Sequence, residues 1–144
     1  MNENKLEELR NYYKQLLEQT ESDILLENKT LKSANRQQLN LEMDWGTLYS
    51  TVYGITNMLE IEVDEAYSKS YSKLVNDSYK SYSATEAKQV AMTDQDFIET
   101  KKLYNNFKKL KLDIEVIKDT IESRRYLLKQ LTDSVINGVD DTWL

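Results

Sequence analysis

The sequence predicts an all-α protein, and three observations lead to that prediction. The chain of 144 residues contains no proline and only three glycines, so the turns that β-hairpins require are scarce. Apolar residues recur at alternating steps of three and four, the spacing of one helix face. Charged residues make up 31% of the chain and fill the positions between them. We therefore expect one domain, residues 1–144, built as an antiparallel helical hairpin or bundle with a long coiled-coil-like C-terminal helix.

The composition also narrows the range of functions. The chain has no cysteine and no histidine, which removes disulfides, thiolate chemistry and the usual general base near neutral pH. Glu62 and Glu65 stand on one helical face, as a Mg²⁺ site would require, but no second acidic pair follows one or two dozen residues downstream. We interpret the acidic run as a solvated helix face. We expect no enzyme, no cofactor and no metal site.

Hydropathy and charge bear on location and partners. No run of about 18 apolar residues occurs, and the N-terminus lacks the basic-then-apolar plan of a signal peptide. These features predict a cytoplasmic protein without membrane association. The net charge is −6, and residues 66–88 differ from the rest because they carry four lysines against two acidic side chains. A nucleic-acid site would therefore have to be local.

The first predicted helix covers about residues 3–27. Its stripe runs through Leu6, Leu9, Tyr13, Leu16 and Leu17, opposite a charged face. Between residues 28 and 43 the apolar stripe thins. That segment fits either a polar continuation of the helix or a loop.

A second helix is predicted over residues 44–76, with Asp44 as its N-cap candidate. Gly54 lies inside this helix at a cost of about 1 kcal/mol relative to alanine, which suggests that another backbone approaches it closely. The apolar stripe begins with Trp45, Leu48, Val52, Ile55 and Leu59.

The third and longest helix is predicted over residues 97–138. Two polar joints, residues 83–86 and 93–96, precede it, and Thr85 or Thr93 could cap the helical residues after its joint. Gly138 suits a left-handed C-cap, and the tail 139–144 is expected to fray. Ten positions form a seam at steps of four and three: Leu103, Phe107, Leu110, Ile114, Ile117, Ile121, Arg124, Leu128, Leu131 and Val135.

So narrow a seam requires a partner helix, and we predict that these ten residues mediate homo-oligomerisation. The first two helices of the same chain could also supply part of the cover. Arg124 is the charged member of the seam. It could set the register of an oligomer, or a local stutter could turn Arg124 and Arg125 outward and place Tyr126 or Leu127 on the seam.

Lysines alternate with tyrosines before the long helix, and that stretch is the candidate nucleic-acid site. Single-stranded DNA is bound by cations along its phosphates and by aromatic faces on which bases stack. The alternative is that the tyrosines are packing residues whose lysine neighbours reach into water. Lysines 101, 102, 108, 109 and 111 could extend a positive groove beside it. The candidate residues are Tyr67, Lys69, Tyr71, Lys73, Tyr79 and Lys80.

Three pieces of residues 66–138 resemble the UvsY family of phage recombination mediators. The segment 73–79 is similar to the family's lysine–tyrosine stretch at Lys73, Asp77 and Tyr79. The second resemblance to the family's sequence begins at Thr85-Glu86-Ala87-Lys88 and continues through residues 94–96. The third is to the family's last helix and covers Ile121-Glu122-Ser123-Arg124-Arg125 and residues 136–138.

The resemblance implies a homo-oligomeric accessory protein in the host-cell cytoplasm. Such a protein would bind single-stranded DNA through Lys73 and Tyr79, contact a single-strand-binding protein and help load a recombinase. The alternative is a phage structural or inhibitory (anti-defence) helical module that binds proteins and not nucleic acid.

Overall fold

The computed structural model describes residues 3–76 and 82–136, and it confirms the all-α prediction. The described residues form four helices: α1 Glu3–Asp23, α2 Leu31–Asn76, α3 Ala84–Ala91 and α4 Gln95–Ile136. The predicted helix end at Gly138 and the tail 139–144 lie outside the described residues, as do Tyr79 and Lys80.

Helices α2 and α4 form an antiparallel hairpin. At one end the Asn35 side-chain amide donates to the Thr132 hydroxyl oxygen over 3.3 Å. At the other end the ring centroids of Tyr67 and Phe97 lie 5.7 Å apart. With a rise of about 1.5 Å per residue, each of these helices is more than about 60 Å long.

Helix α1 packs against the middle of this hairpin and runs parallel to α4. Its first turns lie beside Leu103, and its last turns lie beside Ile117. The molecule therefore has three helices in cross-section along the length of α1. Beyond α1 the pair α2 and α4 continues toward residues 35 and 132, and at the Phe97 end α3 packs on α2.

The core is divided into two apolar clusters. The smaller one joins the start of α2 to the end of α4, with Leu31 and Ala34 against Leu128. The larger one lies between all three long helices and contains Leu6, Tyr13, Leu17, Trp45, Val52, Leu59, Leu103, Phe107, Leu110, Ile114, Ile117 and Ile121.

Helix α2 begins at Leu31, well before the predicted start at Asp44. The Thr30 hydroxyl oxygen accepts the backbone N–H of Ser33 over 3.2 Å, which is an N-cap contact. Leu31 and Ala34 are buried against Leu128 of α4. Because the start of α2 packs on this one helix, the thin apolar stripe of residues 31–43 is wide enough to cover the contact. Residues 28–43, which the sequence left open, are thus helical from Leu31 onward, and residues 24–27, predicted to be helical, belong to the connection before it.

The joints between helices also differ from expectation in detail. Helix α1 ends at Asp23, before the predicted end near residue 27, and the short helix α3 begins at Ala84, inside the first expected polar joint. Ser83 caps α3 by accepting the N–H of Glu86. Asp94 accepts the N–H of Phe97 at the start of α4. Neither Thr85 nor Thr93 is a cap, because the residue directly before each helix already fills that role.

Gly54 is not approached by another backbone within the described chain. A Cβ atom added at Gly54 or at Gly46 would meet no atom within 4 Å. Both glycines therefore cost helix stability, about 1 kcal/mol each relative to alanine, without a packing reason inside this chain.

Truncation of Phe107 tests the core assignment. Phe107 is fully buried at the centre of the larger cluster. We expect Phe107→Ala to lower the free energy of unfolding by about 3–5 kcal/mol, through lost burial and the cavity left behind. Urea unfolding followed by circular dichroism measures this change.

Leu112→Ala on the same helix is the matched control, because Leu112 is 54% exposed. It should change the free energy of unfolding by less than about 0.5 kcal/mol. Equal losses from the two variants would contradict the assignment of the core face of α4.

Candidate functional site

The predicted seam of α4 is covered by helices of the same chain. Eight of its ten members, from Leu103 to Leu128, are buried, and Leu131 and Val135 are half-buried. Helices α1 and α2 supply the cover. The eight buried side chains lie in the chain's own core, and Leu131 and Val135 keep part of their surface exposed. Homo-oligomerisation through the seam stays a prediction.

Arg124 points into the hairpin and contacts α2. Arg124 is 5% exposed, and its Nη1 donates a hydrogen bond to Gln38 Oε1 over 2.8 Å. Gln38 in turn donates from Nε2 to the backbone carbonyl of Ile121 over 2.7 Å. Both side chains are buried, so this pair forms a polar layer between the two apolar clusters.

A second set of hydrogen bonds ties Arg124 to the end of α1. Its Nη2 donates to Gln37 Oε1 over 2.7 Å, and the Lys29 ammonium donates to the same oxygen over 2.9 Å. Gln37 and Lys29 both donate to the backbone carbonyl of Asp23. One cluster therefore joins the last turn of α1, the connection after it, α2 and α4.

The buried guanidinium has no carboxylate partner among the described residues. Its Nε is buried without a hydrogen-bond partner in that part of the chain. Burial lowers the pKa of Arg124. Burial, and then the charge of Arg124, lowers the pKa of the Lys29 ammonium. Uncharged glutamine oxygens thus solvate a charge that ion pairing does not neutralise.

This arrangement differs from both interpretations of Arg124 made from the sequence. The side chain is not turned outward, and its partners belong to its own chain. Arg125 does turn outward, where it pairs with Glu42 at 3.0 Å. The signal that sequence reasoning missed is the pair Gln37-Gln38, which lies in the segment that could not be assigned as helix.

The predicted tyrosine–lysine stretch is divided between two sides of α2. Tyr67 and Tyr71 are half-buried and stacked, with ring centroids 6.4 Å apart, and Tyr67 packs on Phe97. Lys69 and Lys73 are exposed on another side, because residues two apart on a helix do not face each other. The structure therefore does not join these four residues into one surface, and the rings pack the end of the hairpin.

The structure brings lysines and tyrosines together elsewhere, along the side of the hairpin where α2 and α4 meet. The Lys111 ammonium lies 4.7 Å from the ring centroid of Tyr53, and that of Lys118 lies 4.9 Å from the centroid of Tyr49. We call this surface the tyrosine–lysine ribbon. It consists of Tyr49, Tyr53, Lys101, Tyr104, Lys108, Lys111 and Lys118.

The ribbon continues toward the start of α4 through Tyr104. Lys101 and Lys108 lie 5.5 and 5.9 Å from its ring centroid, one turn before and one turn after it. Between Lys101 and Lys118 the ribbon extends about 26 Å along α4. It combines aromatic surface with cations over several turns of helix.

The charge of the ribbon is concentrated at its Lys101 end. Residues 101–111 carry no acidic residue, whereas the whole chain has a net charge of −6. Three of their five lysines belong to the ribbon; Lys102 and Lys109 lie on other sides of α4, Lys102 beside α1. Glu115 interrupts the lysines before Lys118. On α4 the positive charge of the ribbon is therefore greatest between Lys101 and Lys111, and the antiparallel register places the acidic residues 60–65 of α2 opposite the Lys101 end.

Part of this ribbon could have been found in the sequence, where the lysines of residues 101–111 were expected to extend a positive groove. Lys101, Tyr104, Lys108, Lys111 and Lys118 are separated by steps of 3, 4, 3 and 7, which places them on one side of a helix. Tyr49 and Tyr53 could not be added, since only the antiparallel register brings them opposite Lys118 and Lys111.

The described residues lack two further kinds of site. They contain no group of three or more acidic side chains arranged to hold a metal ion. None of their helices combines the length and apolar character needed to cross a membrane.

Comparison of the chain with protein-family models, with curated proteins and with solved structures finds no match. A function for this chain therefore has to be inferred from its residues and their geometry.

Removal of Arg124 tests the polar layer. Arg124→Leu leaves Gln38 Oε1 buried without a donor, so we expect a loss of about 1–3 kcal/mol in the free energy of unfolding. Arg124→Leu combined with Gln38→Leu removes both polar partners from this layer and should recover most of that loss. Chemical unfolding of the two single variants and the double variant gives the coupling energy.

Losses that simply add in the double variant would contradict a direct contact between the two side chains. Lys129→Leu on the same helix is the matched control, because Lys129 is exposed. It should change the free energy of unfolding by less than about 0.5 kcal/mol.

Proposed function

We propose that this chain is a non-enzymatic accessory protein that binds single-stranded DNA along the tyrosine–lysine ribbon. The observation that carries the proposal is the pairing of lysine ammonium groups with tyrosine rings on one side of the α2–α4 hairpin. This combination suits a nucleic acid whose bases are unpaired. Cations meet the phosphates, and rings offer flat surfaces on which bases stack.

The geometry of the pairs supports this chemistry. Each ammonium lies over a ring, 4.7 to 5.9 Å from its centroid. Because a lysine side chain is flexible, its ammonium can move from the ring to a phosphate and leave that face to a base. Tyr53 is 45% exposed, which leaves ring surface open to solvent. Base stacking on such rings is worth about 1–3 kcal/mol per base and tolerates any sequence.

The charge distribution supports binding at this place and not elsewhere on the molecule. The excess of acidic residues in the rest of the chain repels polyanions, so a strand would be held where the lysines of residues 101–111 cluster. Duplex DNA hides its bases inside the stack. The tyrosine rings would then contribute nothing, and single strands should be preferred.

The resemblance to the UvsY family extends the proposal from binding to a role. We propose that the bound chain helps a recombinase to replace a single-strand-binding protein on the strand. This step requires a moderate, salt-sensitive affinity, since the accessory protein has to release the strand again. A local ribbon on an acidic chain fits that requirement.

Three lysines of the ribbon provide the test of DNA binding. We expect Lys108→Ala, Lys111→Ala and Lys118→Ala together to weaken binding of a labelled single-stranded oligonucleotide at least about tenfold. The slope of log K against log salt should become about 2 units shallower, because each lost phosphate contact contributes about 0.7 for single strands. Fluorescence anisotropy at several salt concentrations measures both quantities.

A triple variant elsewhere on the surface separates a local site from the effect of net charge. Lys5→Ala, Lys14→Ala and Lys88→Ala remove three exposed lysines from α1 and α3. This control should bind nearly as the unaltered chain does. Absence of binding by the unaltered chain at low salt, where phosphate contacts are strongest, would refute the proposed function.

The two lysine–tyrosine surfaces can also be distinguished from each other. If DNA lies along the ribbon, Lys69→Ala with Lys73→Ala should weaken binding less than the loss of Lys108 and Lys111. The reverse order would return the site to residues 67–80, where the sequence first placed it.

A further inference from the structure

The centre of α2 has an uncharged surface that faces away from the core. Residues 45–59 include no lysine, arginine, aspartate or glutamate, although 31% of the chain is charged. Val52, Thr56 and Leu59 point inward and are buried. The outward side of a solvated helix in so charged a protein would normally carry ions.

The residues of this outward side have a regular spacing. Leu39 and Met43 are each 63% exposed, and Ile61 is 59% exposed. The positions between them are exposed or half-exposed. We call this surface the α2 outer face: Leu39, Met43, Gly46, Ser50, Gly54, Asn57 and Ile61.

The two glycines of the face indicate that something approaches it closely. Alanine would fit at either position without a clash, because no described atom lies within 4 Å of the added Cβ. Glycine weakens a helix interior, so its presence is unexplained by this chain alone. Gly46, Ser50 and Gly54 stand one turn apart, and small side chains so placed let another helix backbone come near.

The spacing of the face is the same in both directions from Ser50. Its steps are 4, 3, 4 before Ser50 and 4, 3, 4 after it. Gly46 and Gly54 are equidistant from Ser50, and so are Leu39 and Ile61. A surface of this kind is complementary to itself when two copies meet in opposite directions across a two-fold axis.

We propose that the α2 outer face binds the same face of a second copy of this chain, with the two α2 helices antiparallel and the two-fold axis at Ser50. In this arrangement Gly46 of each copy lies opposite Gly54 of the other. Leu39 lies opposite Ile61 at each end of the contact, and the uncharged centre keeps two acidic chains from bringing like charges together.

Charge complementarity favours this partner and this direction. Arg36 and Asp64 are equidistant from Ser50 in the sequence, one before it and one after it. Both side chains are exposed, and neither forms an ion pair among the described residues. The antiparallel pairing brings Arg36 of each copy to Asp64 of the other, at both ends of the face. A parallel pairing would instead set arginine against arginine and aspartate against aspartate.

The α2 outer face is a different surface from the seam of α4, and the dimer does not depend on DNA binding. The seam is buried in the core of one chain, whereas the α2 outer face is covered by nothing in residues 3–76 and 82–136. A dimer through α2 leaves the three-helix core of each chain intact.

Sedimentation equilibrium over a concentration series tests the proposal with the full chain. The unaltered 17.0 kDa chain should associate to a dimer. Ser50→Glu places two like charges across the axis and should weaken the dimer at least about tenfold. Ser123→Glu, the same change at an exposed site on α4, should leave the dimer constant unchanged.

Gly54→Leu separates an effect on association from an effect on folding. Leucine is the better helix former, so the variant should unfold at a higher temperature at protein concentrations where the chain is monomeric, while its dimer at higher concentrations is weakened by the added side chain. A variant that gains stability and still dimerises as before would overturn the close approach at Gly54.

An exchange of charges tests the antiparallel direction. Arg36→Asp alone should weaken the dimer, and Arg36→Asp combined with Asp64→Arg should restore it. Failure of the double variant to recover would overturn the register. A chain that stays at 17.0 kDa at every concentration would overturn the dimer and leave the face to a different partner.

Discussion

Burial of the α4 seam by two helices of its own chain is the constraint on which the rest of the structure depends. A narrow apolar stripe more than four heptads long has to be covered along its whole length, and one helix cannot do this unless it is equally long. Helix α2 supplies that length with 46 residues, and α1 widens the cover where the side chains are largest, around Phe107. The two long helices meet in an antiparallel register, with Asn35 beside Thr132 and Tyr67 beside Phe97. The ribbon takes its position from this register.

The polar layer at Arg124 is the second feature that fixes the register of α2 against α4. A seam of apolar residues alone would tolerate a shift of one heptad, because each leucine or isoleucine could meet the next one along. The Arg124–Gln38 contact cannot shift in this way without burying a guanidinium against apolar side chains. It therefore fixes α2 against α4, and the bonds from Gln37 and Lys29 to Asp23 fix the end of α1 to the same point. The charge costs stability and, in return, defines a single alignment.

The fold could be predicted from the sequence because the features that identify its helices are local and periodic. The stripes of α1 and α4 and the absence of proline identify helices whatever their partners are. The boundary of α2 could not be found, since residues 31–40 carry a thin stripe whose sufficiency is set by Leu128, far away in the chain. The partners of Arg124 were out of reach for the same reason. Gln37 and Gln38 look like ordinary surface residues until the hairpin register places them opposite the seam.

The candidate site was harder to predict than the fold, and the reason is again the register. Composition drew attention to the alternating lysines and tyrosines after Ala66, but alternation on a helix separates neighbours instead of gathering them. Lysine and tyrosine from distant parts of the chain meet only where two helices each contribute one partner, as Tyr53 and Lys111 do. A pattern search along α4 can detect the part of the ribbon from Lys101 to Lys118, but not the tyrosines that α2 adds to it.

The ribbon and the α2 outer face are separate features, but geometry links them. The outer face points away from the core, and the ribbon lies at one flank of α2, on the side of Tyr49 and Tyr53. Consider a dimer whose two-fold axis runs perpendicular to the plane that contains both α2 axes. Rotation about this axis exchanges the two chains, and a flank of α2 that lies above the plane in one chain also lies above it in the other. In that dimer both ribbons would face the same way, and one strand could engage both. The second contact would then be intramolecular, which raises affinity without any new kind of contact.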